Sequence, residues 1–167
     1  MAEGRYAAWV QPLAASYGES RAEGARLARS LPEAACTAPT GNTGWTASDE
    51  LAHMADAGTN FAAMLREVVA GGPVDTSRFV DIDASNARGL AARRGRSMGD
   101  IAAEIEKGGE DALAALSQLG DADEERRPEG VPFTLGQLLQ GYAQHDPYHL
   151  AQLRDALAGA GVGGPAR

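Results

Sequence analysis

The chain has 167 residues, 44% of them hydrophobic and 23% charged, with a formal net charge of −8. That is enough to bury one sizeable core, and residues 1–167 are expected to form a single domain. The acid excess disfavours a nucleic-acid backbone or an anionic membrane as partner, because both would repel it.

A lone cysteine, Cys36, allows no intrachain disulfide and suits a reducing cytoplasm. The opening stretch MAEGRYAAWVQPLAASYGES lacks the basic start and unbroken apolar run of a signal peptide. No apolar run approaches the roughly 18 residues that a membrane span needs.

Helical periodicity dominates, and no segment alternates as a strand. A first helix is predicted over roughly residues 12–30, carrying Leu13, Tyr17, Leu27 and Leu31. Three later helices announce their starts by a hydroxyl followed three positions on by a side chain that can reach back: Thr46 with Asp49, Ser97 with Asp100, Thr134 with Gln137. Behind Thr46, the residues Leu51, Met54, Phe61, Leu65 and Val68 form an apolar stripe that should end at the Gly and Pro of residues 70–73. A shorter helix is expected over about residues 83–94. Behind Ser97, Ile101, Ile105, Leu113, Leu116 and Leu119 mark a long helix with a soft spot at Gly108 and Gly109. Behind Thr134, Leu135, Leu139, Tyr142, Leu150, Leu153 and Leu157 mark a last one.

The linkers, 32–44, 71–83 and 120–132, are rich in Gly, Pro and acids, and the middle one is long enough for a crossover. The predicted architecture is therefore all-α: a four-helix bundle with a crossover connection and a short extra helix.

The chain holds three histidines. His145 and His149 stand one turn apart on one face, in an inward stripe with Leu138, Tyr142, Gln152 and Ala156. His53 sits at the edge of the buried stripe of its own helix. If the two helices are neighbours, three imidazoles meet and form an open, facial set for a divalent ion. A single histidine on an apolar face is more often a core residue, so pattern alone leaves core packing and metal binding both open. Pro147 either starts the helix after itself, separating the two histidines, or kinks it. The apolar stripe stays in phase on both sides, which favours the kink.

Two stretches, GWTASDELAHMADAGTNFAAMLR and, about ninety residues later, TLGQLLQGYAQHDPYHLAQLR, resemble the DinB-like superfamily. This group includes the metal-binding domain of mycothiol-dependent maleylpyruvate isomerase and the bacillithiol transferases. The resemblance runs from about residue 12 to 158. It implies a four-helix bundle with a divalent metal on His53, His145 and His149, and water on the open positions. It also implies a metal-dependent thiol S-transferase or isomerase acting with mycothiol or another low-molecular-weight thiol, and a homodimer. The downstream domain that the isomerase carries is not expected here, which counts against isomerisation itself.

Zn, Ni and Fe all accept such ligands. Asp146, beside a ligand position, and Asp49, one turn before His53, are candidates to orient an imidazole; for Asp49 the helix-start role is preferred. Trp45 is expected to pack beneath the helix start, and Tyr142 and Tyr148 flank the ligands. Arg88 and Asn86 are placed to meet an anionic substrate or simply to face solvent, and Cys36 is read as incidental. The alternatives are a non-catalytic, stress-related metal-binding bundle and a di-iron carboxylate protein. The second is suggested by the Glu-x-x-His of Glu50 and His53.

Overall fold

The computed structural model describes residues 5–161, with the side chains of residues 78 and 79 excepted. Among the described residues it is all helical, with one isolated bridge between Pro39 and Thr46 and no strand. The helices are α1 (Gln11–Ser30), α2 (Ala47–Val69), α3 (Ser77–Val80), α4 (Ile82–Arg93), α5 (Met98–Leu116), α6 (Leu135–Tyr142) and α7 (His145–Gly159). None of them is long and apolar enough to cross a membrane.

Local chemistry starts the helices where the hydroxyl signals place them. Thr46, Ser97 and Thr134 each accept from the backbone N–H three residues on, which satisfies one of the donors a helix start leaves free. At Thr46 and Thr134 the side chains of Asp49 and Gln137 answer by accepting from the capping residue's own N–H.

Packing then orders the elements. One apolar cluster joins the late half of α1 (Leu27), the early half of α2 (Leu51, Met54), the start of α5 (Ile101, Ile105) and α7 (Leu153). A second joins early α1 (Leu13, Tyr17), late α2 (Phe61, Leu65), late α5 (Leu116) and α6 (Leu139). So α2 and α5 run parallel, opposed to α1 and to the α6–α7 pair. Parallel neighbours require a crossover, and the α2–α5 connection supplies it, carrying α3 and α4.

Two expectations need correcting. The last helix is two segments, broken at Ala143 and Gln144, although both residues keep right-handed helical angles. Pro147 lacks the N–H that would bond Ala143, and its ring crowds that carbonyl, so the break falls one turn before it. Pro147 thus lies in the first turn of α7, where the missing donor costs nothing, and His145 and His149 keep their common face.

Gly108 and Gly109 are no soft spot either: α5 runs unbroken through them and both are buried. A Cβ at Gly108 would lie 3.0 Å from the α2 backbone at Gly58, and one at Gly109 would lie 3.1 Å from the side chain of Arg21. These glycines allow α2, α5 and an arginine to approach one another closely.

Between the two apolar clusters lies a polar layer. Arg21 of α1 is only 2% exposed; it donates to Met54 O (2.7 Å), Ile105 O (3.3 Å) and Asp146 Oδ2 (3.2 Å), tying together α1, α2, α5 and α7.

Candidate metal centre

The polar layer leads directly to the imidazoles. His53 projects from α2 and His145 and His149 from the first turns of α7, and their candidate ligand atoms all lie within 4.8 Å of one another. The Nε2 atoms of His53 and His145 are 3.1 Å apart. Two donors each about 2.0–2.1 Å from a shared ion would stand roughly 3 Å apart, so this spacing fits.

The hydrogen bonds at the far side of two rings decide which nitrogen faces the centre. His149 Nδ1 donates to Glu50 Oε2 (2.7 Å), and His145 Nδ1 donates to Asp146 Oδ1 (3.0 Å). In that tautomer both Nε2 atoms carry a free lone pair. His53 Nδ1 is buried without a partner among the described residues, so no carboxylate orients this ring as Glu50 and Asp146 orient the other two.

Electrostatics favour the same state. Burial, reinforced by His149 and His145, pushes the His53 pKa down to about 3, so this imidazole is neutral at physiological pH. Neutral imidazole is the form that binds a metal, and proton competition at His53 is therefore removed. Burial pushes the Asp146 carboxyl up, but the hydrogen bond from His145 and the charge of Arg21 outweigh it and hold the carboxyl below its usual range.

Glu50 is fully buried and fully engaged. Its Oε1 accepts from Thr40 Oγ1 and Asn42 Nδ2, both at 2.7 Å, while Oε2 takes His149. Asn42 Oδ1 in turn accepts from Tyr148 OH (2.9 Å). The bridge between Pro39 and Thr46 brings Thr40 and Asn42 back over α2. With both oxygens taken, Glu50 orients His149, which counts against its use as a di-iron ligand.

Asp146 stands where it was expected, against His145. Asp49 does not reach an imidazole; it closes the helix start at Thr46. Trp45 is not a buried anchor beneath that start. Its indole lies edge-on to His53 (5.0 Å between centroids) and parallel to His149 (6.1 Å). Tyr142 stacks on Phe61 at 4.3 Å, and Tyr148 meets His149 edge-on at 5.1 Å. Cys36 lies away from the site, its thiol facing Pro32 O.

Sequence reasoning passed over Glu50 as an orienting group, together with Arg21, Thr40 and Asn42. Only the Glu-x-x-His spacing hinted at Glu50, because its partner His149 lies 99 residues away.

The three imidazoles line one wall of a cavity of about 630 Å³, large enough for a small organic molecule. Trp45, Ala57, Leu138 and Tyr142 give it an apolar side, and the start of α4 adds Ile82, Asp83, Ser85 and Asn86 to its lining. Arg88 is exposed and not part of this lining, whereas Asn86 is.

Glu50→Gln is expected to lower divalent-metal affinity about 10–100-fold while leaving helicity unchanged, because the carboxylate that raises the basicity of His149 is lost. A metal titration followed by circular dichroism checks this.

An all-helical protein with three convergent histidines able to hold a metal ion, at the wall of an accessible cavity, is the class that fold and site define. The profile described as the DinB superfamily matches residues 17–153, and the chain belongs to that superfamily. No curated protein and no solved structure matches it.

Proposed function

We propose that His53, His145 and His149 hold one divalent ion on a four-helix bundle. We further propose that the protein uses this ion to make a nucleophile of a small thiol, which is transferred to an electrophilic substrate. The observation that carries the reading is the convergence of three imidazole nitrogens on the wall of a cavity, two of them aimed by buried carboxylates. Three protein ligands with room beside them is the arrangement of a reactive centre, whereas a structural site is closed by a fourth.

When bound, the ion supplies a Lewis acid that lowers the pKa of a water or thiol placed on it. The protein's own groups do the rest. Glu50 and Asp146 hold the tautomers of His149 and His145, and Arg21 holds Asp146. Trp45 and Leu138 present an apolar wall that limits water around the nucleophile. The thiol chemistry rests on the family resemblance, with mycothiol or a comparable low-molecular-weight thiol as cosubstrate.

Metal analysis of the purified protein should return about one Zn, Ni or Fe per chain. The loaded protein should then conjugate small thiols to a chromogenic electrophile well above the rate of metal plus thiol alone. Absence of bound metal sinks the whole reading; metal with only background conjugation leaves a binding protein without this chemistry.

A further inference from the structure

Helix α4 does little for the core. Of its 12 residues only Gly89 is buried. A Cβ at Gly89 would overlap the Asp56 carboxylate, and one turn later Arg93 Nη1 donates to Asp56 Oδ1 at 2.7 Å while its other nitrogen meets Glu104. So the C-terminal half of α4 is clamped to α2 and α5.

Its N-terminal half turns Ile82, Asp83, Ser85 and Asn86 into the cavity that the imidazoles share. Ile82 is left 59% exposed there. Asp83 and Asn86 lie one turn apart on a common face, and neither makes a side-chain hydrogen bond or ion pair among the described residues. One of the free N–H groups at the helix start is already taken, because Asp81 Oδ1 accepts from Ala84 N at 2.9 Å.

No Lys or Arg lines this cavity among the described residues. The other carboxylate in its lining, Asp56, is neutralised by Arg93. A second groove, which Asp83 and Asn86 also line, holds Arg93, Arg94 and Arg96, but Glu104 ties up Arg93 and Arg96. Arg94 stands eleven residues beyond Asp83, about three turns or ~16 Å along the axis. Apart from the charge that a bound ion would bring to the imidazoles, the unpaired charge in this lining among the described residues is therefore the Asp83 carboxylate, with the unpaired amide of Asn86 one turn away.

We propose that α4 is the recognition helix of this cavity, and that Asp83 and Asn86 select a small ligand carrying a protonated amine while rejecting a carboxylate at the same place. The thiol end of that ligand rests on the function proposed above; the charge selection does not.

The test uses ω-aminoalkanethiols of two to six carbons, with hydroxyl-ended and carboxylate-ended thiols of matching length. They are titrated at low salt into cobalt-loaded protein carrying Trp9→Phe, which leaves Trp45 as the single tryptophan, excited selectively over the tyrosines. Trp45 emission reads occupancy of the cavity, and the cobalt absorption bands read arrival of sulfur at the metal. At the best length the amine should bind about five-fold tighter than the carboxylate, with the hydroxyl between them. Asp83→Asn should bring the three within about two-fold of one another.

Equal or tighter binding of the carboxylate, or an unchanged ratio in Asp83→Asn, overturns the proposal. Cobalt changes without charge preference leave the thiol chemistry standing and remove the amine selection. Preference in the emission without cobalt changes does the reverse. Silence in both channels sinks both.

Discussion

Arg21→Met is expected to destabilise the metal-free protein by about 3–5 kcal/mol, measured by urea denaturation. Arg21 and Asp146 are both almost wholly buried, with side chains 3% exposed each. Removing the cation strands a carboxylate in the core, with His145 as its remaining side-chain partner among the described residues. Against a total stability on the order of 5–15 kcal/mol, such a loss is severe. Arg21→Lys should rescue little, because a single ammonium cannot span Met54 O, Ile105 O and Asp146 as the planar fork does.

Gly58→Ala offers an independent check on the same layer. A Cβ there would overlap the Arg21 guanidinium, and Gly108 and Gly109 close the space behind it. A cost of about 1–3 kcal/mol is expected from overpacking. Gly18→Ala is the control, since its Cβ would meet Leu113 at an ordinary 3.6 Å and should be neutral or slightly stabilising. Similar behaviour of the two alanine variants would mean that the guanidinium is not confined as described.

His145→Ala is expected to weaken divalent-metal binding by more than about 100-fold, beyond what loss of an orienting group costs, while the protein stays helical. Two nitrogens then remain where a facial set needs three. Asp146→Asn, which keeps the side chain's size, should fall in the milder range of about 10–100-fold. Isothermal titration with zinc separates the two. Equal losses in both variants would show that His145 acts through packing and not as a ligand.

Much of this protein could be read in advance wherever the determining interaction is local. The starts at Thr46, Ser97 and Thr134 came out as expected because a cap bonds its own helix three residues away. The shared face of His145 and His149 likewise follows from a four-residue spacing on one helix. Pro147 is legible as a disturbance, but its effect lands on the preceding turn because the missing N–H belongs to the bond with Ala143.

Elsewhere local reading had no purchase. Gly108 and Gly109 resemble a weak point until Arg21, 84 residues from its partner Ile105, is seen lying against α5. Trp45 reads as an anchor until the loop bridge turns it onto two imidazoles. Arg88 and Asn86 read equally as contacts to an anionic substrate or as a solvent-facing charge and a helix cap, and only the packing of α4 at Gly89 and Arg93 puts Asn86, and not Arg88, in the cavity lining.

From the order of residues alone came the helical class, the helix starts, the crossover and the three imidazoles, because hydrophobic periodicity and capping act over a few residues of one chain. The tertiary structure alone decided which carboxylate serves which imidazole, why an arginine lies in the core, and which face of α4 meets the cavity. Those choices depend on groups up to 125 residues apart meeting where water is excluded, and no spacing along the chain encodes that meeting.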